Sequence, residues 1–126
     1  MQELMWRGVL ADGQARWVMI SGREMAEEAR RIHRTTPVMT AALGRVLMGT
    51  AMMSATLKAE TDRLTLTFAG GGPAGKLVAV GREGGVVKAY VDHPEADAPI
   101  RTSDGKLDVG AVVGSDGTLT VVKDLG

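Results

Sequence analysis

Apolar positions follow a strand-like pattern near the amino end, a helical period through the segment after it, and a two-residue period again from Arg63 onward. Two β-prone runs, Leu4 to Leu10 and Ala15 to Ile20, flank Asp12-Gly13, the dipeptide that favours a two-residue hairpin turn. That turn places Trp6, Gly8 and Leu10 on one face with Ala15, Trp17 and Met19. Met5, Arg7 and Val9 then share the other face with Arg16, Val18 and Ile20. Ser21-Gly22-Arg23-Glu24 reads as a capping box, with Ser21 as the cap of a first helix. Met25, Ala29 and Ile32 form its narrow apolar stripe, and Glu27 stands four residues before Arg31, the favourable order for a helical ion pair. Arg30, Arg31 and Arg34 read as a solvated face of that helix.

Thr36-Pro37 opens a second helix, a capping hydroxyl followed by proline at the first helical position. This helix is expected to run from Pro37 to about Leu57 and is apolar nearly all round, so it needs cover on most sides. Gly44 and Gly49 in its interior each cost about 1 kcal/mol relative to alanine, and close approach by neighbouring backbone is the expected compensation. A bilayer span here is disfavoured by Arg45 and by scattered Thr, Ser and Gly.

After Arg63, Leu64, Leu66 and Phe68 alternate with Thr65 and Thr67. Leu77 to Val80 and Val86 to Val91 flank Glu83-Gly84-Gly85 as a second hairpin. Leu107 to Val113 and Thr118 to Val122 flank Ser115-Asp116-Gly117 as a third. The stretch from Asp92 to Lys106, with Pro94 and Pro99, reads as loop. Strands, two helices and further strands predict an α+β fold, with antiparallel sheets and a helical layer packed between them.

Composition narrows this picture. The 126 residues suit one domain, and only 3% are aromatic, so the core must be built from Val, Leu, Ala and Met. Fifteen basic and fifteen acidic residues cancel, which argues against nucleic-acid binding, where affinity rests on excess Lys and Arg. The chain has no cysteine and no signal-peptide pattern at its start, consistent with a cytoplasmic setting. It breaks off directly after a strand, at Lys123-Asp124-Leu125-Gly126, which reads as a boundary inside a longer protein.

Candidate chemistry is sparse. Gly70, Gly72 and Gly75 satisfy G-x-G-x-x-G, with Asp92 about twenty residues on, as a dinucleotide fingerprint requires. A phosphate site also needs a helix next, and Leu77-Val78-Ala79-Val80 is a strand, so a sharp glycine turn is the better reading. Asp92, His93, Glu95 and Asp97 lack the ordered spacing of a calcium loop and read as solvated. His33 suits the carboxyl end of the first helix. No serine lies in G-x-S-x-G and no carboxylate pair stands out, so an enzyme is not expected and neither metal nor cofactor is expected in this chain. The methionines of the second helix read as core; Met5 and Met19 on the hairpin suit either core or an adaptable surface.

Taken in order, the features resemble the thirty-three-kilodalton heat-shock chaperone family of bacteria, the redox-regulated holdases. The resemblance rests on the first hairpin, on His33-Arg34-Thr35-Thr36-Pro37 and on Thr40-Ala41-Ala42-Leu43-Gly44-Arg45. Ala55-Thr56-Leu57-Lys58, Gly70-Gly71-Gly72-Pro73 and Gly105-Lys106-Leu107-Asp108-Val109-Gly110 continue it, and Gly114, Gly117 and Leu119-Thr120-Val121 complete it. It implies structural roles for Thr36, Pro37, Leu43, Gly44, Arg45, Gly72, Pro73, Leu107, Asp108 and Gly110. It also implies an ATP-independent holdase that binds unfolding clients under oxidative or heat stress, forms homodimers, and is switched by a carboxy-terminal zinc site of four cysteines. That switch has no counterpart in this chain, which corresponds to an amino-terminal client-binding and dimerisation domain spanning 1–126. A holdase needs uncovered apolar surface, and the first hairpin is the expected place: Met5, Trp6, Trp17, Val18, Met19 and Ile20. The alternatives are a small-molecule or nucleotide site on the Gly70–Gly75 loop, or a plain dimerisation module.

Overall fold

A computed structural model describes residues 4–126. The expected first hairpin forms from β1 (Met5–Leu10) and β2 (Ala15–Ile20), paired antiparallel with Leu10 opposite Ala15. The connection is longer than the expected two-residue turn: Ala11 to Gln14 separate the strands, Ala11, Asp12 and Gly13 all have positive φ, and the Gln14 amide donates to the Ala11 carbonyl at 3.1 Å. Helix α1 (Arg23–His33) begins one residue later than a Ser21 cap requires. The Ser21 amide extends the hairpin by donating to Leu4 O, and Gly22 takes the cap position without a side-chain bond. A Cβ on Gly22 would stand 2.0 Å from Met48 Sδ, so any other residue there requires the Met48 side chain to move. Within α1, Glu27 pairs with Arg30 and Glu28 with Arg31, three residues apart, in place of the expected Glu27–Arg31 pair.

Helix α2 (Pro37–Ser54) starts as its sequence predicts, with the Thr36 hydroxyl accepting from the Met39 amide and Pro37 in the first turn. Thr36 Oγ1 also donates to Ala96 O at 2.6 Å and its amide donates to Pro94 O, which ties the loop after the sheet to the head of α2. The helix ends three residues short of Leu57. Strands β3 (Arg63–Ala69), β4 (Lys76–Gly81), β5 (Val87–Val91) and β6 (Thr118–Asp124) make one antiparallel sheet in the order β5-β4-β3-β6. One face of β3 and β4, with Leu64, Leu66, Leu77 and Ala79, is buried, and α2 lies on the sheet with Met39, Leu43 and Leu47 in the core. Helix α1 packs on α2 where Gly44 faces Ala26, and α2 also touches β2, so the helical layer contacts both sheets of the α+β fold.

The expected third hairpin does not form. Val109–Val113 is a short helix, α3, capped by Asp108, whose carboxylate accepts from the Ala111 amide at 3.2 Å. It buries Val112 in the core, a contact that a solvent-edge strand could not make. β6 pairs instead with β3, Thr65 opposite Val122. Gly49 is a second correction: nothing approaches it within 4 Å, so only Gly44 has the expected close neighbour.

Candidate functional site

The hairpin turns its two faces to different surroundings. Met5, Val18 and Ile20 are half-buried, and Arg7 of the same face donates from Nη1 to Ala55 O at 2.8 Å, at the carboxyl end of α2. A guanidinium there meets the unpaired carbonyls and the negative end of the helix dipole. The opposite face stands in solvent: Trp6 is 44% exposed, Trp17 39% and Met19 56%, with Leu10 also exposed. Gly8 stands opposite Trp17, and a Cβ on Gly8 would lie 2.9 Å from the indole ring. The ring therefore lies over bare backbone, which fixes a large apolar plate on an open two-stranded sheet. Of the six hairpin residues singled out from sequence, the structure puts Trp6, Trp17 and Met19 on the open face and Met5, Val18 and Ile20 on the anchored one.

Sequence reasoning missed a second apolar exposure. Leu119 and Val121 of β6 point to the helix-facing side of the sheet, next to Leu66 and Phe68, yet are 53% and 39% exposed. Helix α2 covers β3, β4 and β5 and leaves β6 largely bare. Pattern alone gives β6 an ordinary amphipathic look; its exposure depends on where α2 ends up.

The glycine loop is committed to chain-to-chain contact. The Gly72 amide donates to Val113 O at 3.1 Å and the Ala74 amide to Val112 O at 2.8 Å. Any Cβ at Gly70 or Gly72 would strike the backbone of residues 112–114. Pro73 turns the chain into β4, where Asp92 Oδ2 accepts from the Lys76 amide. The amides of Gly72, Ala74, Gly75 and Lys76 are thus occupied, and a strand follows where a phosphate site needs a helix. His93 Nδ1 lies 3.4 Å from Glu95, both exposed, and the described residues hold no cluster of three or more metal-ligating side chains. With no cysteine, the chain has no thiolates for a four-cysteine zinc site. Among the described residues no helix is long and apolar enough to cross a membrane.

The remaining residues that carry the family resemblance lie in different surroundings. Leu43 is fully buried, Asp108 caps α3, Leu107 is half-buried, and Gly110 and Arg45 are exposed.

Two antiparallel sheets, a helix packed between them and a hairpin with an open aromatic face define an α+β domain. The sequence profile of the Hsp33 protein family matches residues 3–126. The 33 kDa chaperonin of Alkaliphilus oremlandii is 45% identical over 126 residues, covering 100% of this chain and 42% of that protein. The 33 kDa chaperonin of Deinococcus radiodurans is 47% identical over 120 residues, covering 94% of this chain and 41% of its own. The crystal structure of the 33 kDa chaperonin (heat shock protein 33 homolog) of Thermotoga maritima superposes with a TM-score of 0.88 at 37% identity, over 97% of this chain and 41% of that one. The chain belongs to the Hsp33 family and spans about two-fifths of the length of these relatives.

Proposed function

We propose that this chain is the client-holding domain of an ATP-independent chaperone, binding unfolding proteins and preventing their aggregation in the cytoplasm. The observation that carries this reading is the open hairpin face with Trp6, Trp17 and Met19, fixed by Gly8 below and by Arg7 at the end of α2. A soluble domain normally hides such surface, and aromatic rings with an adaptable thioether suit many partners. Family membership supports the same reading, since the relatives are named chaperonins. Redox control belongs, on this proposal, to a cysteine-bearing zinc segment of the longer protein, so the chain alone holds clients whatever the redox state. Its working form is a two-fold homodimer.

The test is light scattering from a chemically denatured client diluted into buffer, with and without reductant. The chain should suppress aggregation equally in both. Trp17→Ser with Met19→Lys should weaken suppression, with thermal unfolding as the check that the variant is folded, since Trp17 packs over Gly8. Wild-type protection by that folded double variant removes the hairpin from the role. No protection by the unaltered chain at any concentration defeats the proposal.

A further inference from the structure

An open cleft of about 610 Å³ lies far along the chain from the hairpin, between the exposed side of α2 and the loop that leads to α3. Arg45, Arg101 and Lys106 line it, together with the apolar Ile100, Leu107 and Val109. Arg45 is the single charged residue in all of α2. Neither Arg45 nor Lys106 forms an ion pair among the described residues. The nearby carboxylates are committed elsewhere: Asp104 to the Arg101 guanidinium at 2.7 Å, and Asp108 to the Ala111 amide.

The loop that carries the cations is held although it stands in solvent. The Arg101 amide donates to Lys106 O, the Gly105 amide to Arg101 O, and the Lys106 amide to Asp104 Oδ1. Arg101 donates to Asp104 from both Nε and Nη2. The loop makes itself rigid and presents Arg101 and Lys106 across from Arg45 beside a floor of aliphatic side chains. The two cations without ion-pair partners, Arg45 and Lys106, favour an anionic occupant, and the aliphatic floor favours one that also carries apolar groups. A bare phosphate fits less well, because it would leave the aliphatic lining without a partner.

We propose that this cleft binds an extended peptide segment in which acidic and aliphatic side chains alternate. The carboxylates would pair with Arg45 and Lys106, and the aliphatic groups would lie on Ile100, Leu107 and Val109. Exposed segments of an unfolding protein supply this chemistry. The cleft is thus a second, charge-selective contact for clients; that identification of the partner rests on the chaperone reading, whereas the charge selectivity does not.

The probes are two fluorescein-labelled peptides, one alternating Glu with Leu and one alternating Lys with Leu, titrated by anisotropy against the 126-residue chain. The Glu peptide should bind more tightly than the Lys peptide. Its affinity should fall about fivefold in Arg45→Gln/Lys106→Gln, which removes two solvent-exposed pairings. It should also fall as ionic strength rises from about 0.05 to 0.5 M. Arg45→Lys/Lys106→Arg should restore it. Both positions are exposed, so thermal unfolding serves as the folding check. Equal binding of the two peptides, or unchanged binding of the Glu peptide in the Gln double variant, overturns the proposal. So does full displacement by millimolar inorganic phosphate together with loss of the Glu–Lys preference, which would mark a plain anion site. The hairpin variant Trp17→Ser/Met19→Lys should keep the Glu–Lys preference. A failure of the holdase assay with this preference intact therefore strikes the function and spares the cleft.

Discussion

Gly44 and Ala26 meet where α1 crosses α2, and a Cβ at residue 44 would stand 2.8 Å from the Ala26 Cβ. Both partners are on helix backbones, so the crowding cannot be relieved by swinging a flexible side chain. Gly44→Leu should overpack this crossing and cost about 1–3 kcal/mol, read as a lowered Tm. An unchanged Tm would mean that the two helices separate freely. Gly81 poses the same problem with a different neighbour: its Cβ would stand 1.9 Å from Ser54 Oγ, which is fully buried and has no hydrogen-bond partner among the described residues. An unpaired buried hydroxyl costs about 1–3 kcal/mol, and alanine is the better helix former. Ser54→Ala should therefore stabilise the protein by about 1 kcal/mol in a urea titration, with the m-value unchanged. A loss of stability would show that Ser54 Oγ has a partner in solution.

At the scale of elements, the loop from Arg101 to Lys106 makes its own pH-dependent contribution. The Lys106 amide and then the Arg101 guanidinium hold the Asp104 carboxyl below the ordinary aspartate value of 3.8. Because the folded-state pKa is depressed, the contribution is present above the unfolded value and disappears as pH falls through the folded one. An NMR titration of Asp104 should show a midpoint below 3.8, and Arg101→Gln should move it upward. A midpoint that ignores Arg101 would show that the backbone amide alone sets it. How legible such elements were in the sequence depends on the range of the forces that make them. The hairpin of β1 and β2 and the start of α2 rest on neighbours in the chain, Asp12-Gly13 and Thr36-Pro37, and the pattern gives both. Ser21 misleads because its amide is drawn into the hairpin, a competition that a capping motif does not display. Val109 to Val113 has the β-branched look of a strand; the Asp108 cap and the place for Val112 in the core make it helical. β6 finds its partner in β3, which lies fifty residues or so away in the chain, and nothing local encodes that pairing. The hairpin face was legible as apolar on both sides, but which side stays open is decided by Arg7 and the end of α2. The cleft at Arg45 is assembled from segments so far apart that pattern gives only its pieces.

For the whole molecule, two separate apolar surfaces combine with a formal net charge of zero. Charge repulsion that would keep copies apart is therefore weak. The two surfaces differ in kind. The hairpin offers a flat aromatic face, whereas β6 is the end strand of its sheet, with one edge unpaired and Leu119, Val121 and Val122 exposed. An open edge with apolar flanks is a template for strand addition. Two copies related by a two-fold axis would pair β6 antiparallel and extend the four-stranded sheet across both. Sedimentation should accordingly show a reversible monomer–dimer equilibrium. Val121→Lys should shift it toward monomer, since it sets a charge on the bare helix-facing side of the joined sheet. Trp17→Ser/Met19→Lys should leave the dimer in place and reduce protection of clients. If the hairpin variant dissolves the dimer and Val121→Lys does not, the hairpin is the subunit contact and the client surface must be sought on β6. A chain that stays monomeric at every concentration would leave both surfaces to clients and remove self-association from the account of how this domain works.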